Sequence, residues 1–302
     1  MSDALLLLPD VILILAGYAI CRLTPLNRPL WDQIERVVYF VLFPALLFHS
    51  IVRRPLDLFQ MMPLAASSIA LSLVGIAAAS ALRLFPGVDP RLHASGAQTA
   101  FRFNSYVALA LAERLAGAPG VAWMAVVVSV CVPLCNVAAV WPLARHGGHH
   151  YGREIVRNPL IVATASGLAF SLLGLHLPAL ADISLARIGA AALPLGLMAV
   201  GAGLQLGALR EGPRLAAALM VIRHGLMPLV AIGIVVAMRL PPGQQAVVVA
   251  FSALPTASSC YVLAVRMGGH GGFTAGLVTV STGIGMLLLP VWLTTWRAWA
   301  NF

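Results

Sequence analysis

The stretch Arg145-His-Gly-Gly-His-His-Tyr-Gly-Arg-Glu154 is the longest polar run in the chain, and it lies almost at the middle of the 302 residues. Five apolar segments precede it, near 4–22, 37–52, 61–82, 96–115 and 120–143. Five follow it, near 158–176, 187–206, 214–238, 244–265 and 273–296. Most have close to the roughly 20 apolar residues that a helix needs to cross a bilayer core. The gaps between them are short turns, which leaves no room for a soluble domain. Composition points the same way. Apolar residues make up 60% of the chain before its 27 Gly are counted, and charged residues 10%. A soluble domain carries about 25% charge and about 45–50% apolar residues with glycine included. Mean hydropathy is +0.93. So little polar surface excludes a cytosolic enzyme, a nucleic-acid module and a disordered chain. The fold class is an all-α polytopic membrane protein of ten transmembrane helices. Residues 1–144 form a first five-helix unit, 145–157 a cytoplasmic linker, and 158–302 a second five-helix unit.

Weak self-similarity links the two halves. Ala16-Gly17-Tyr-Ala matches Ser166-Gly167-Leu-Ala, and Phe43-Pro44-Ala-Leu-Leu matches Leu193-Pro194-Leu-Gly-Leu, both at an offset of 150 residues. Ser105-Tyr-Val matches Cys260-Tyr-Val at 155. A repeat with an odd number of crossings must enter the membrane from opposite sides, so the halves are expected to be inverted repeats. In secondary transporters of that architecture the site lies near the midplane between the repeats.

The net charge of +9 comes from 19 basic residues, all of them Arg and most of them in the short gaps. That is the pattern of loops beside an anionic membrane face, not of a nucleic-acid patch. Counted over alternate loops, Arg favours an arrangement with both termini outside and the 145–157 linker inside. The amino terminus carries Asp3 where a secretory signal has basic residues, and is expected to start the first membrane helix. Cys21, Cys131, Cys135 and Cys260 lie within apolar runs and read as small apolar fillers. The loop trio His146, His149 and His150 sits among glycines, a poor frame for a metal. No metal and no cofactor is expected.

Polar groups inside the segments carry the chemistry, because a charged side chain at the bilayer centre costs about 2.5–3.5 kcal/mol on insertion scales. The fourth segment holds Gln98, Thr99, Arg102, Asn104, Ser105 and Tyr106. At the equivalent place the ninth holds Ser252, Pro255, Thr256, Ser258, Ser259 and Tyr261. Pro255 removes a backbone donor and clashes with the preceding turn, and the nearby hydroxyls are positioned to serve the freed groups or a ligand. Arg102, followed by an amide, a hydroxyl and a phenol, suits bidentate recognition of a carboxylate; the alternative is an Arg that snorkels to the cytoplasmic surface. Asn136 is a further candidate lining residue. Asp10, Gln205 and His224 are weaker candidates for coupling. Arg223-His224, at the start of the eighth segment, can equally face lipid phosphates, and His49, near an outer end, reads as structural.

Taken in order, these motifs resemble the auxin efflux carrier family of membrane transporters, in its bacterial branch. The matching stretches are Val41-Leu-Phe-Pro-Ala-Leu-Leu-Phe, Arg102-Phe-Asn-Ser-Tyr-Val, Arg157-Asn-Pro-Leu-Ile, Leu193-Pro-Leu-Gly-Leu and Ala253-Leu-Pro-Thr-Ala-Ser. The resemblance implies ten helices in two inverted repeats, with helices four and nine broken and crossing at the midplane. It implies malonate, malate or auxin-like anions as cargo, and a site at Asn104 and its neighbours and at Pro255, Thr256 and Ser258. One departure is expected to matter. Between Ala97 and Ala116 there is no Pro or Gly, so helix four should be less unwound than helix nine.

The expected function is secondary active or facilitative transport of small organic anions by alternating access, and not an enzymatic activity. A cation/proton exchanger on the same type of fold would want paired buried carboxylates, and an intramembrane enzyme a His/Asp/Glu constellation. The segments supply only Asp10, His49 and His224, scattered. Expected partners are the anion, a proton or sodium as coupling ion, membrane lipids and a second copy of the chain in a homodimer, with no nucleic acid. The expected location is a bacterial inner membrane.

Overall fold

The structure, a computed structural model, describes residues 3–53, 58–144, 159–204 and 212–300. Nearly all of these are helical. Helix α1 covers Asp3–Leu23, α2 Arg28–Val37, α3 Phe43–Val52, α4 Leu58–Ala81, α5 Pro90–Gly96 and α6 Ser105–Ala144. In the second half α7 covers Pro159–Leu172, α8 Ala179–Ala190, α9 Ala192–Ala202, α10 Pro213–Val221, α11 Met227–Ala237, α12 Pro242–Ala253, α13 Ser259–Arg266 and α14 Gly271–Ala300. Among the described residues five stretches are long and apolar enough to cross a membrane: Met61–Leu84, Ser105–Val140, Ala179–Ala202, Pro213–Ala237 and Gly271–Trp299.

Local chemistry explains the boundaries. Asp89 caps α5, accepting from the N–H groups of Arg91 (2.7 Å) and Leu92 (2.9 Å), with Pro90 in the first turn. Gly117, at φ 60° and ψ −145°, bends α6 into two helices; that backbone region is open essentially only to glycine. The two π-turns, Val38–Leu42 and Ile222–Leu226, each end two residues before a proline, Pro44 and Pro228. A proline inside a helix displaces the carbonyl four residues back, and a wider turn takes up the misfit. At the second of these the displaced carbonyl is that of His224, and the indole of Trp292 donates to it at 2.9 Å.

Several boundaries differ from the sequence reading. The second segment, expected at 37–52, is a continuous helix from Arg28, because the amphipathic turn of α2 buries Trp31 against Ala199 and Ala202 and leaves Arg28, Asp32 and Glu35 to pair with one another. The seventh, expected at 187–206, starts at Ala179 and is two helices meeting at Ala191. The sixth ends at Leu172, not 176.

The chain divides into two compact units, each drawing on both sides of the central polar run. Unit 1 comprises 1–65, 106–129 and 151–203; unit 2 comprises 66–105, 130–150 and 204–302. Unit 1 is built on close helix approaches. A β-carbon on Gly17 of α1 would overlap the carbonyl of Met198 in α9, and one on Gly201 would overlap the carbonyl of Ile14. Gly167 of α7 faces α3 less tightly, with Ile51 Cβ 3.3 Å from its would-be β-carbon. Thus the first helix of each half packs on the second helix of the other half, through the matched glycines Gly17 and Gly167. His49, at the end of α3, pairs with Asp182 of α8 at 2.8 Å, and Arg53 lies 3.6 Å from the same carboxylate, in keeping with a structural role for His49.

Candidate functional site

The site lies in unit 2, where two helices are interrupted side by side. After α5 a short 3-10 turn, Ala97–Ala100, leads into four residues, 101–104, that leave the helix before α6 begins. In the ninth segment α12 stops at Ala253, residues 254–258 run irregularly, and α13 starts at Ser259. The two interruptions face each other in an antiparallel bridge between Phe103 and Thr256. The N–H of Asn104 donates to the carbonyl of Pro255 at 2.9 Å, and the Thr256 hydroxyl donates to the carbonyl of Arg102 at 3.1 Å. Each break therefore supplies partners for backbone groups that the other has released.

This corrects the expectation for the fourth segment, which is fully interrupted although there is no Pro or Gly between Ala97 and Ala116. Its partners come from across the bridge, and the T-shaped contact of Phe103 with Phe251 (4.6 Å) adds an apolar anchor. In the ninth segment Pro255 does lie at the break. It packs against Gly285 of α14, where a β-carbon would come 3.1 Å from the Pro255 ring.

Arg102 sits at the rim of this bridge, half-buried. One Nη donates to Gln98 Oε1 at 2.7 Å and the other to Ser259 Oγ at 3.0 Å. Gln98 is itself fixed by donating to the carbonyls of Ser95 (3.1 Å) and Cys260 (3.2 Å). Asn104 Nδ2 donates to Ser258 Oγ at 3.3 Å. Among the described residues no carboxylate lies within ion-pair distance of Arg102. The fork of the guanidinium is held open by two neutral acceptors, which a carboxylate can replace bidentately at a gain in strength.

The structure thus brings Arg102, Asn104, Pro255, Thr256, Ser258 and Ser259 together. Thr256 is buried, and its hydroxyl is taken up by the carbonyl of Arg102 across the bridge. Asn136 is half-buried on α6 next to Cys135, whose thiol donates to the carbonyl of Phe101 at 3.6 Å. Ser105 opens α6, and Tyr261 lies in the first turn of α13 with its ring against Gly271. Tyr106 belongs to unit 1, where its ring stacks on Phe43 with centroids 4.8 Å apart. Asp10 falls within α1, and Gln205 lies outside the described residues, as do His146, His149 and His150.

Three residues named in the sequence reading make contacts that it did not give. Arg223 does not face lipid phosphates. It is fully buried, with Nε donating to the carbonyl of Leu254 at 2.7 Å and Nη2 to that of Phe251 at 3.3 Å. His224 meets Ser281 Oγ through Nε2 at 2.8 Å, and the same hydroxyl accepts the N–H of Thr256 at 3.0 Å. The available signals were Pro228, which marks a disturbed turn one turn after Arg223 and His224, and the adjacent hydroxyls of Ser281 and Thr282 in a mostly apolar segment. Gln98, four residues before Arg102 and so on its helix face, was visible as part of the polar set but not as the partner of Arg102.

A comparison with curated proteins finds no match. A family described as membrane transport protein, that of the auxin efflux carriers, matches over residues 145–293, a span that includes the second break, Arg223, His224 and Ser281. Transport across a membrane is the activity that family shares, and the long apolar helices are those of an integral membrane protein. Over residues 145–293 the chain is similar to the membrane transport protein family of the auxin efflux carriers.

Proposed function

We propose that the chain is a secondary or facilitative carrier of small organic anions, mono- or dicarboxylates of the size of malonate or malate, working by alternating access. The observation that carries this reading is Arg102: a guanidinium beside two interrupted helices, held by Gln98 and Ser259 and by no carboxylate among the described residues. A cation at that place selects for negative charge, and its planar fork for a carboxylate. Asn104, Ser258 and Ser259 supply neutral donors for the remaining oxygens. The exchange of Gln98 and Ser259 for a substrate carboxylate is the differential contact through which the anion biases one state over another.

The mutual packing of α1 on α9 and of α7 on α3 supports reading the chain as two inverted five-helix repeats with ten crossings. In that reading both termini lie outside a bacterial inner membrane, and the linker lies inside. Units that each mix helices from both halves suit rigid-body alternation around a fixed site. The test is uptake by sealed proteoliposomes across a panel of mono- and dicarboxylates, with an organic cation as control. Saturable uptake of at least one carboxylate is expected. Uptake of the cation alone would overturn the reading.

A further inference from the structure

Resting on the carrier reading above, we propose that the guanidinium of Arg223 is a built-in cation at the broken ninth helix, standing where a transported sodium ion would be held in carriers with broken helices, so that anion transport by this chain needs no sodium.

A helix that stops inside a membrane leaves carbonyls without partners and presents the negative end of its dipole. In carriers with broken helices such ends coordinate the sodium ion or proton that drives transport. Helix α12 ends at Ala253, and its terminal carbonyls, those of Phe251 and Leu254, are both taken by Arg223. The side chain has no solvent exposure, and its Nη1 has no hydrogen-bond partner among the described residues. Arg remains charged in any such setting, and a buried charge requires compensation. Among the described residues no carboxylate provides it. What faces the guanidinium is the pair of carbonyl dipoles, which is the compensation a bound sodium ion would receive.

The placement is deliberate in backbone terms. The π-turn Ile222–Leu226, imposed ahead of Pro228, buries three successive residues, Ile222, Arg223 and His224. Arg223 serves the carbonyl side of the break, while His224 supports Ser281, which accepts the Thr256 N–H on the other side. Among the described residues the first break has no such cation on its carbonyls: that of Phe101 receives the Cys135 thiol, and Arg102 points to side-chain acceptors.

The test has an arm in the unaltered protein and an arm in variants. In detergent, the melting temperature of the parent protein is expected to be the same in sodium chloride as in potassium chloride. In proteoliposomes, uptake of the best carboxylate of the panel is expected to be unchanged when sodium is replaced by potassium. Arg223→Ala is expected to lose at least about tenfold of uptake, equivalent to about 1.4 kcal/mol. Millimolar guanidinium should restore much of that loss, whereas urea at the same concentration, with similar shape and donors but no charge, should not. Sodium-dependent uptake or sodium-specific stabilisation of the parent protein would overturn the proposal. So would a folded Arg223→Ala that guanidinium fails to rescue, or that urea rescues equally. Should Arg223→Ala not accumulate, Arg223→Lys, which keeps the charge and loses the fork, takes its place: retained uptake supports the tethered cation, and loss as complete as in a folded Arg223→Met overturns it. Absence of any carboxylate uptake by the parent would sink the carrier reading itself, while the melting comparison would still judge the cation.

Discussion

At the scale of single residues, the proposed carrier function turns on the balance at Arg102. Its two Nη groups rest on Gln98 and Ser259, so the side chain is pre-oriented without being neutralised. Replacement by Gln removes the charge and the fork together but keeps a side chain able to meet Gln98. Arg102→Gln is expected to lower carboxylate uptake at least about tenfold, or about 1.4 kcal/mol, with membrane abundance unchanged. Arg102→Lys should fall between the two, since an ammonium keeps the charge but not the paired geometry. Parent-like uptake by Arg102→Gln would make the residue a surface anchor and remove it from the site. Arg102, Asn104, Pro255 and Ser258 could be found from the sequence because polar groups stand out in apolar segments. The burial of Arg223 could not. Its neighbours in sequence, Val221, Ile222 and Gly225, are the same whether the side chain turns to lipid or to the ends of another helix, and the carbonyls it serves lie some thirty residues away.

At the scale of elements, the two breaks show that a proline is not required, and the helices that run on past Pro63 and Pro290 show that it is not sufficient. The fourth segment is interrupted by residues of ordinary helix propensity, because the bridge and the Thr256 hydroxyl repay the backbone groups that leave the helix. The same exchange supports the ninth. Pro255→Ala is therefore expected to keep the break and to lose less than about tenfold of uptake. Ser281→Ala, by contrast, strands the buried N–H of Thr256 and the ring of His224, and an unsatisfied buried polar group costs about 1–3 kcal/mol. A lower melting temperature in detergent for Ser281→Ala than for Pro255→Ala would bear this out, and the reverse order would show that the proline holds the break. The reading of the fourth segment as the less unwound helix failed here. Propensity weighs only local terms, whereas the bonds that open this helix are non-local. Helix packing in unit 1 makes a second element-scale prediction. Gly17→Ala places a methyl group on the Met198 carbonyl and should cost about 1–3 kcal/mol through overpacking. Gly167→Ala meets Ile51 at 3.3 Å and should change stability by less than about 1 kcal/mol. Equal effects in thermal unfolding would mean that the two interfaces are not as unlike in tightness as these contacts indicate.

At the scale of the whole molecule, the question is which side of the membrane each half starts from. In the reading proposed above the Arg bias favours an inside linker at 145–157, and the swapped packing of first and second helices is what inversion about an axis in the membrane plane would produce. Five crossings before the linker and five after it then put both termini outside. An even number of crossings in the first half would place linker and amino terminus on the same side and make the halves parallel repeats, which is incompatible with one half entering from each face. The linker is the sharpest place to separate these outcomes, and Gly148, among the glycines and histidines of the central polar run, is the position to mark. Cys131, Cys135 and Cys260 are buried, so a single added thiol is readable once Cys21 has been replaced by Ser. In intact cells a membrane-impermeant maleimide is expected to leave Gly148→Cys unlabelled. In inverted vesicles the same reagent should label it fully, and a second thiol placed at Asn301 should show the opposite pattern. Labelling of Gly148→Cys from outside would reverse the orientation. Labelling of both thiols from the same face would leave an even number of crossings after the linker, and the inverted-repeat reading would fall with it.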